Sequence, residues 1–205
     1  MTTPKVVVFD IGNVILNWDP DLLYSKLIPD PAARQTFFAD TNIHEMNLDV
    51  DRGAPFRDTI YAHADRYPDH GDLIRAWHDR WPEMLTPEIS GTSNILRRLK
   101  SNSIPVFALS NFGADSYTLA RKIYPILLEF DREYISGRMK LIKPDPGIYE
   151  ELERDSGFHG ADLCFFDDSA KNIDAAKSRG WQAHIFENPA KMQSDLENMG
   201  LLNHN

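Results

Sequence analysis

The chain has 205 residues, 42% of them apolar and 26% charged, with a formal net charge of -9. That balance suits a folded α/β unit with room for a sizeable insertion and excludes a disordered chain. The acidic charge and the lack of a basic run argue against nucleic acid or an anionic membrane as partner, because both are bound through clustered Lys and Arg.

No charged-then-apolar leader opens the sequence, and no apolar stretch approaches the ~20 residues that span a bilayer, so a soluble cytoplasmic protein is expected. Val6-Val7-Val8-Phe9 predicts a short buried strand that ends at Asp10 and opens into Gly12-Asn13-Val14, read as a tight turn permitted by the glycine. An aspartate is disfavoured in a strand and costly to bury unpaired. One displayed at a strand's carboxyl end points to a cation, a bound ligand or covalent chemistry.

From about Asp19 to Leu85 the rhythm changes. Tyr24, Phe37, Phe38, Trp77 and Trp81 lie in a stretch punctuated by Pro29, Pro31, Gly53, Pro55 and Pro68, with no convincing buried strand. A small helical lobe is expected. Asn47, Asp49 and Asp51 have the opening spacing of a calcium loop, yet Arg52 stands where that loop needs glycine and Asp58 where it needs glutamate, which rejects the reading. Trp77 and Trp81, four apart, predict packing within the lobe, and Arg52 and Arg57 a solvated surface.

Thr92 to Lys100 places Ile95, Leu96 and Leu99 on one helical face, and Ile104 to Leu109 predicts a second strand running into Ser110-Asn111. Lys143-Pro144 precedes a helical pattern over Asp145 to Asp155. Leu163-Cys164-Phe165-Phe166 predicts a third strand, leading into Asp167-Asp168. The lone Cys164 can form no disulfide within the chain and fits no zinc-ligand spacing, so it reads as a small buried residue. Ser169 to Arg179 predicts a helix stopped by Gly180, Gln182 to Phe186 a fourth strand, and Lys191 to Asn205 a short helix with a frayed end.

Continuous apolar runs read as strands buried on both faces of a parallel sheet. Their alternation with helices predicts right-handed βαβ units and an α/β fold, a doubly wound, Rossmann-like parallel sheet. The expected core is 1–17 with 86–205, and the helical cap is 18–85, inserted after the first strand. Ligands bind such sheets at the strands' carboxyl ends, where Asp10, Ser110 and Asp167-Asp168 fall. A lobe above that edge can close over a ligand and exclude water. The alternative is that these helices merely extend the core; the return of both ends of the lobe to the strand tips favours the cap.

Each polar signal is weak alone, since a serine after a strand is more often a helix cap and a Lys-Pro a solvated turn. Their order is more specific. In FDIGNV (9–14), LSN (109–111), KPDPGIY (143–149) and FFDDSAKNIDAA (165–176) the chain resembles the haloacid dehalogenase superfamily over its whole length. Within it, the chain looks like the subfamily IA phosphatases with a helical cap, above all the bacterial α-glucose-1-phosphate phosphatase-like members that also carry glycine two after the nucleophile.

The resemblance implies that Asp10 attacks phosphorus in line, forming an aspartyl phosphate that water later hydrolyses. Asp168 and Asp167 would join Asp10 and the backbone carbonyl of Gly12 in holding Mg²⁺, an ion suited to hard oxygen donors. The ion's charge also lets these carboxylates crowd together. The acidic pair alternatively reads as a helix N-cap, and Asn172, one turn along, is placed to orient it. The Ser110 hydroxyl and the Asn111 backbone N–H would donate to phosphoryl oxygens, and Lys143 would add positive charge, which makes all three substrate contacts. The implied partner is a small phosphorylated metabolite.

Gly12 departs from most phosphatases of the superfamily, in which an aspartate there protonates the leaving oxygen, a role worth ~10²- to 10⁴-fold. Its loss should slow alkyl phosphates and spare an anomeric leaving group, which favours a sugar phosphate such as a hexose 1-phosphate. Any substitute acid, Asp145 or a cap residue, is left open by the sequence. Two alternatives stand. A 2-haloacid dehalogenase also lacks the second aspartate and attacks carbon without metal, but its fourth motif is less acidic than Asp167-Asp168. A non-catalytic phosphate- or protein-binding module is opposed by the complete nucleophile, lysine and metal motifs.

Overall fold

The computed structural model describes residues 2–203. The strands in chain order are β1 (Val6–Phe9), β2 (Leu16–Trp18), β3 (Leu85–Glu88), β4 (Val106–Ser110), β5 (Arg132–Ile135), β6 (Leu163–Asp167) and β7 (Gln182–Ile185). Helices α1 (Asp21–Leu27), α2 (Pro31–Thr41), α3 (Ile43–Asp51), α4 (Phe56–Ala64) and α5 (Gly71–Asp79) lie between β2 and β3. The rest are α6 (Ser90–Ser101), α7 (Ala114–Ile123), α8 (Ser136–Met139), α9 (Pro146–Ser156), α10 (Ala170–Ser178) and α11 (Pro189–Asn198).

Five parallel strands form one sheet in the order β5-β4-β1-β6-β7, with Val7 opposite Val106 on one side and Cys164 on the other. Side chains alternate along a strand, so β1 feeds two cores. Val7 and Phe9 pack with Ile95, Leu96 and Leu99 of α6 and Leu196 of α11. Val6 and Val8 pack with Ile148, Tyr149 and Leu152 of α9 and Ile173 of α10. The sheet is thus buried on both faces, as the apolar runs require. The chain leaves β1 toward β4 and leaves β6 toward β7, so a crevice opens at the carboxyl ends of these two neighbours, where such sheets take their ligands.

The edges depart from expectation. β5 has the polar start Arg132-Glu133, with Arg132 exposed and Glu133 half-buried, a pattern that hides an edge strand from a search for apolar runs. β7 forms the other edge, with Ile185 exposed, so it is not buried on both faces. β4 starts at Val106 rather than Ile104 and continues through Ser110, whose side chain is therefore delivered by the sheet itself. The expected helix after 190 is present as α11, started by Pro189 and capped by Asn188, whose side chain accepts from the Lys191 amide at 2.9 Å. The expected frayed end at His204 and Asn205 lies outside the described residues.

β2 and β3 pair antiparallel, Trp18 beside Leu85, which draws the two ends of the 19–84 segment together at the mouth of the sheet. The helices between them carry their own aromatic packing. Tyr24 stacks on Phe37 at 5.3 Å between centroids, and Trp18 contacts Trp77 and Trp81 at 5.9 and 5.8 Å. Trp77 and Trp81 are almost completely buried, and truncating such a residue costs about 3–5 kcal/mol. Arg52 pairs with Asp49 and Glu45, and Arg57 lies over the Tyr61 ring, both on the surface. No helix among the described residues is long and apolar enough to cross a membrane.

Candidate active site

Asp10 follows β1 directly, and its amide donates to the Phe166 carbonyl of β6 at 2.9 Å. Three donors converge on its Oδ1: the Ile11 amide at 2.7 Å, the Ser110 hydroxyl at 2.6 Å and the Lys143 ammonium at 3.0 Å. None of the described groups hydrogen-bonds Oδ2. Ser110 reaches this point because β4 lies beside β1 and ends at the same level.

The turn after Asp10 is built differently from its sequence reading. Asn13, not Gly12, adopts the left-handed conformation, with φ of 56°, a region that asparagine tolerates better than most residues. Gly12 has no positive φ, and a Cβ built there meets nothing within 4 Å. Backbone geometry therefore does not require glycine at position 12. The Asn13 side chain donates to Asp168 Oδ2 at 3.0 Å and accepts from the Trp18 amide at 3.0 Å, tying the turn to β6's exit and to β2. Its role was not read from the sequence, although an asparagine after glycine is a signal for a left-handed turn.

Lys143 is held from both ends. Its ammonium lies 2.6 Å from Asp167 Oδ2 as well as 3.0 Å from Asp10. Its backbone is clamped by the Asn111 side chain, which donates to the Lys143 carbonyl at 2.9 Å and accepts from the Lys143 amide at 2.8 Å. Asn111 thus uses its side chain to fix the lysine loop. Asp167 accepts further bonds from Asn172 Nδ2, at 2.9 and 3.0 Å, and from the Ser169 amide at 2.8 Å. Ser169 occupies the N-cap of α10 without a side-chain bond. Asn172 orients Asp167, and Asn13 orients Asp168.

Asp10, Ser110, Lys143 and Asp167 are all at least nine-tenths buried, whereas Asp168 is exposed. Burial pushes the Asp10 carboxyl up to about 7; Lys143 opposes the rise, Asp167 adds to it and the Ser110 bond opposes it. Burial also works against the Lys143 ammonium, but Asp10 and then Asp167 outweigh it and hold the amine above its ordinary value. The Lys143 charge is thereby kept beside the Asp10 carboxyl.

Oxygen atoms of Asp10, Asp167 and Asp168 all lie within 4.8 Å of one another. Three carboxylates against one ammonium leave a concentrated negative charge made of hard donors, a set that fits a magnesium-sized divalent cation. Gly12 lies half-exposed in the adjoining turn. Asp145 is exposed at the N-cap of α9. Cys164 is buried inside β6, where burial pushes its thiol well above its ordinary value.

Beside Gly12 a cavity opens toward the inserted helices, with Trp18, Trp81, Leu85, Phe112 and Asp51 of α3 in its wall. In the sequence, Asp51 falls within the rejected calcium-loop spacing. Its four-residue separation from Asn47 was the usable signal, because α3 places the two side chains on one face.

Residues 4–180 match the family model of the haloacid dehalogenase-like hydrolases. The drimenol cyclase drtB of Aspergillus calidoustus is 26% identical over 210 residues, covering 95% of this chain but only 36% of that protein. The chain therefore spans about a third of that relative's length. The sesquiterpene phosphatase astK of Aspergillus oryzae is 26% identical over 180 residues, covering 87% of this chain and 88% of that one. Among solved structures, the HAD family enzyme bt-2542 of Bacteroides thetaiotaomicron is similar with a TM-score of 0.73 at 19% identity, covering 91% of this chain and 95% of that one. The same enzyme has been solved with magnesium and inorganic phosphate. A match running from β1 through α10 takes in Asp10, Ser110, Lys143, Asp167 and Asp168, and the chain belongs to the haloacid dehalogenase-like hydrolases.

Proposed function

We propose that this hydrolase is a Mg²⁺-dependent phosphatase that cleaves a small phosphomonoester through an aspartyl phosphate on Asp10. The observation that carries the reading is the asymmetry of Asp10: Ser110, Lys143 and the Ile11 amide hold Oδ1, while Oδ2 takes no hydrogen bond from the described residues. A carboxylate fixed by one oxygen presents the other as a nucleophile in a set geometry. The Lys143 charge and the Ser110 hydroxyl stand where negative charge builds on the transferring phosphoryl group.

Asp10 and Asp168 would hold the cation directly, with Asp167 and the Gly12 carbonyl completing the protein's share. Among the described residues, Asp167 already accepts from Lys143, Asn172 and Ser169, whereas Asp168 accepts from Asn13 alone. The ion supplies positive charge that draws the phosphate oxygens and offsets the crowding of carboxylates. Residues 18–85 act as the cap, whose closure keeps water from the site. Magnesium and phosphate in the bt-2542 structure and the phosphatase activity named for astK support this reading.

Two observations bear on the ester. With no acid at Gly12, a reaction that no other residue protonates favours a good leaving group, as in a hexose 1-phosphate, the substrate of the glucose-1-phosphate phosphatase-like enzymes. The aromatic wall of Trp18, Trp81 and Phe112 favours an apolar alcohol, in line with the relative named a sesquiterpene phosphatase. Phosphate release with Mg²⁺ from a hexose 1-phosphate, a hexose 6-phosphate and a prenyl phosphate tests both, with Asp10→Asn as the inactive control. Equal turnover of the two sugar phosphates removes the leaving-group argument. Chelator-insensitive halide release from 2-chloropropionate would replace the phosphatase with a dehalogenase. Binding of Mg²⁺ and phosphate without turnover or adduct would leave a binding module.

A further inference from the structure

An ester of an ordinary alcohol cannot leave readily as an alkoxide, so its oxygen needs a proton as the P–O bond breaks. The groups around Asp10 are already committed. Ser110 and Lys143 bind Asp10, Asp167 binds Lys143, and Gly12 has no side chain. In the cavity beside them, Asp51 is the one titratable residue in the wall among the described residues.

Asp51 is positioned by a chain of donors. Trp77 Nε1 donates to Asn47 Oδ1 at 3.0 Å, and Asn47 Nδ2 donates to Asp51 Oδ2 at 3.0 Å. The loop that follows Ser110-Asn111-Phe112 lies beside it, with Gly113 facing the end of α3. Glycine is needed at that contact, because a Cβ on Gly113 would lie 2.5 Å from Val50 Cγ1. The turn after Asp51 is seated as closely, since a Cβ on Gly53 would lie 2.9 Å from the Gly137 carbonyl oxygen. The end of α3 is therefore pressed onto the loop after β4 and onto α8. An acid at a helix C-terminus opposes the helix dipole, and a local rule broken without evident structural gain points to function.

We infer that Asp51 carries the proton that position 12 cannot: its carboxyl donates to the leaving oxygen as Asp10 takes the phosphoryl group, and then accepts a proton from the water that attacks the aspartyl phosphate. The inference rests on the phosphatase reading and deepens it. In the first step the bond from Asp10 Oδ2 to phosphorus forms, the ester P–O bond breaks, and the alcohol departs with the Asp51 proton. In the second, water gives its proton to the Asp51 carboxylate, its oxygen bonds phosphorus, and the Asp10–phosphorus bond breaks. Inorganic phosphate, the Asp10 carboxylate and protonated Asp51 result. Burial pushes Asp51 up to about 7, with the Gly113 amide opposing, Asp10 adding to the rise and Arg52 opposing, so both of its protonation states are accessible near neutrality.

The test compares wild type with Asp51→Asn on p-nitrophenyl phosphate and benzyl phosphate in Mg²⁺. These esters are similar in shape, but only the second needs a proton to leave. The expected result is a loss of ~10²-fold or more in kcat/KM on benzyl phosphate and little change on p-nitrophenyl phosphate. Equal losses, or none, on the two esters overturn the proposal while leaving the phosphatase reading intact. A wild-type protein that releases phosphate from neither ester overturns both. Asn47→Ala keeps the carboxyl but removes its orienting bond, and is expected to show a smaller loss with the same leaving-group bias. Uniform loss there assigns Asn47 and Asp51 to packing and overturns the proposal, even if Asp51→Asn does not fold.

Discussion

Lys143 Nζ lies 2.6 Å from Asp167 Oδ2, and both side chains are sealed from solvent, at 1% and 0% exposure. Among the described residues the lysine is the single positive charge in contact with Asp10 and Asp167, so removing it leaves two buried carboxylates uncompensated. Breaking a buried pair from one side costs about 3–5 kcal/mol. Lys143→Met should therefore lower the melting temperature sharply and reduce phosphate release to background. Thermal denaturation followed by circular dichroism checks the first effect, and a variant as stable as wild type would refute it.

Asn172 touches Asp167 through both of that residue's oxygens and lies outside the proposed metal ligands. Groups that orient a ligand typically contribute ~10- to 100-fold to metal affinity. Asn172→Ala should raise the Mg²⁺ concentration needed for half-maximal activity by that factor, with a smaller change in the rate at saturating Mg²⁺. A Mg²⁺ titration of activity decides it, and an unchanged midpoint would assign Asn172 to packing alone.

Gly12 has neither a positive φ nor a neighbour that a Cβ would strike. Replacing glycine by alanine at such a site restricts the unfolded chain and stabilises by about 0.4–1 kcal/mol. Urea denaturation of Gly12→Ala should show a gain in this range. A loss would mean that glycine is there for the backbone after all.

Glu153 lies on α9 and is not among the groups that contact Asp10, Lys143 or Asp167. It accepts from Arg179 Nη2 at 2.6 Å and from Trp181 Nε1 at 2.7 Å. Burial raises its carboxyl, but the Arg179 and Trp181 bonds outweigh it and hold the group below its ordinary 4.5. A depressed carboxylate contributes stability that is fully present above its unfolded value and is lost as pH falls through the folded one. Wild type should therefore lose stability as pH drops below 4.5. Glu153→Gln should be less stable at pH 7 by about 1.5–3 kcal/mol, the range for hydrogen bonds to charged groups. The gap to wild type should narrow in acid. Denaturant midpoints at pH 7 and pH 4 measure it, and a gap that does not shrink would remove the ionic contribution.

The legible part of the fold was its interior. Val6-Val7-Val8-Phe9 and Leu163-Cys164-Phe165-Phe166 are apolar throughout because central parallel strands meet a core on both faces, and such runs leave a strong local signal. The edges hid for the same reason. Arg132-Glu133-Tyr134-Ile135 and Leu85 to Glu88 pair on one side only and need no continuous apolar run, so nothing local separates them from loops.

At the site, Asp10, Ser110, Lys143 and Asp167-Asp168 could be picked out by their order and by their places after strands and before helices. Sequence order also carried the family, since the motifs occur along one chain regardless of how it packs. What it could not carry was who binds whom. Asn111 contacts Lys143 through its side chain, Asn13 rather than Gly12 makes the left-handed turn, and Asp51 reaches the cavity beside Gly12 from a helix 39 residues later. Those contacts arise where separate segments meet, and their geometry is set by long-range packing. The sequence alone determined which groups stand at the strand tips, because hydrophobic periodicity is local. The tertiary structure decided how they divide the charges, bonds and open space among them, because burial and neighbourhood exist only once the chain has closed on itself.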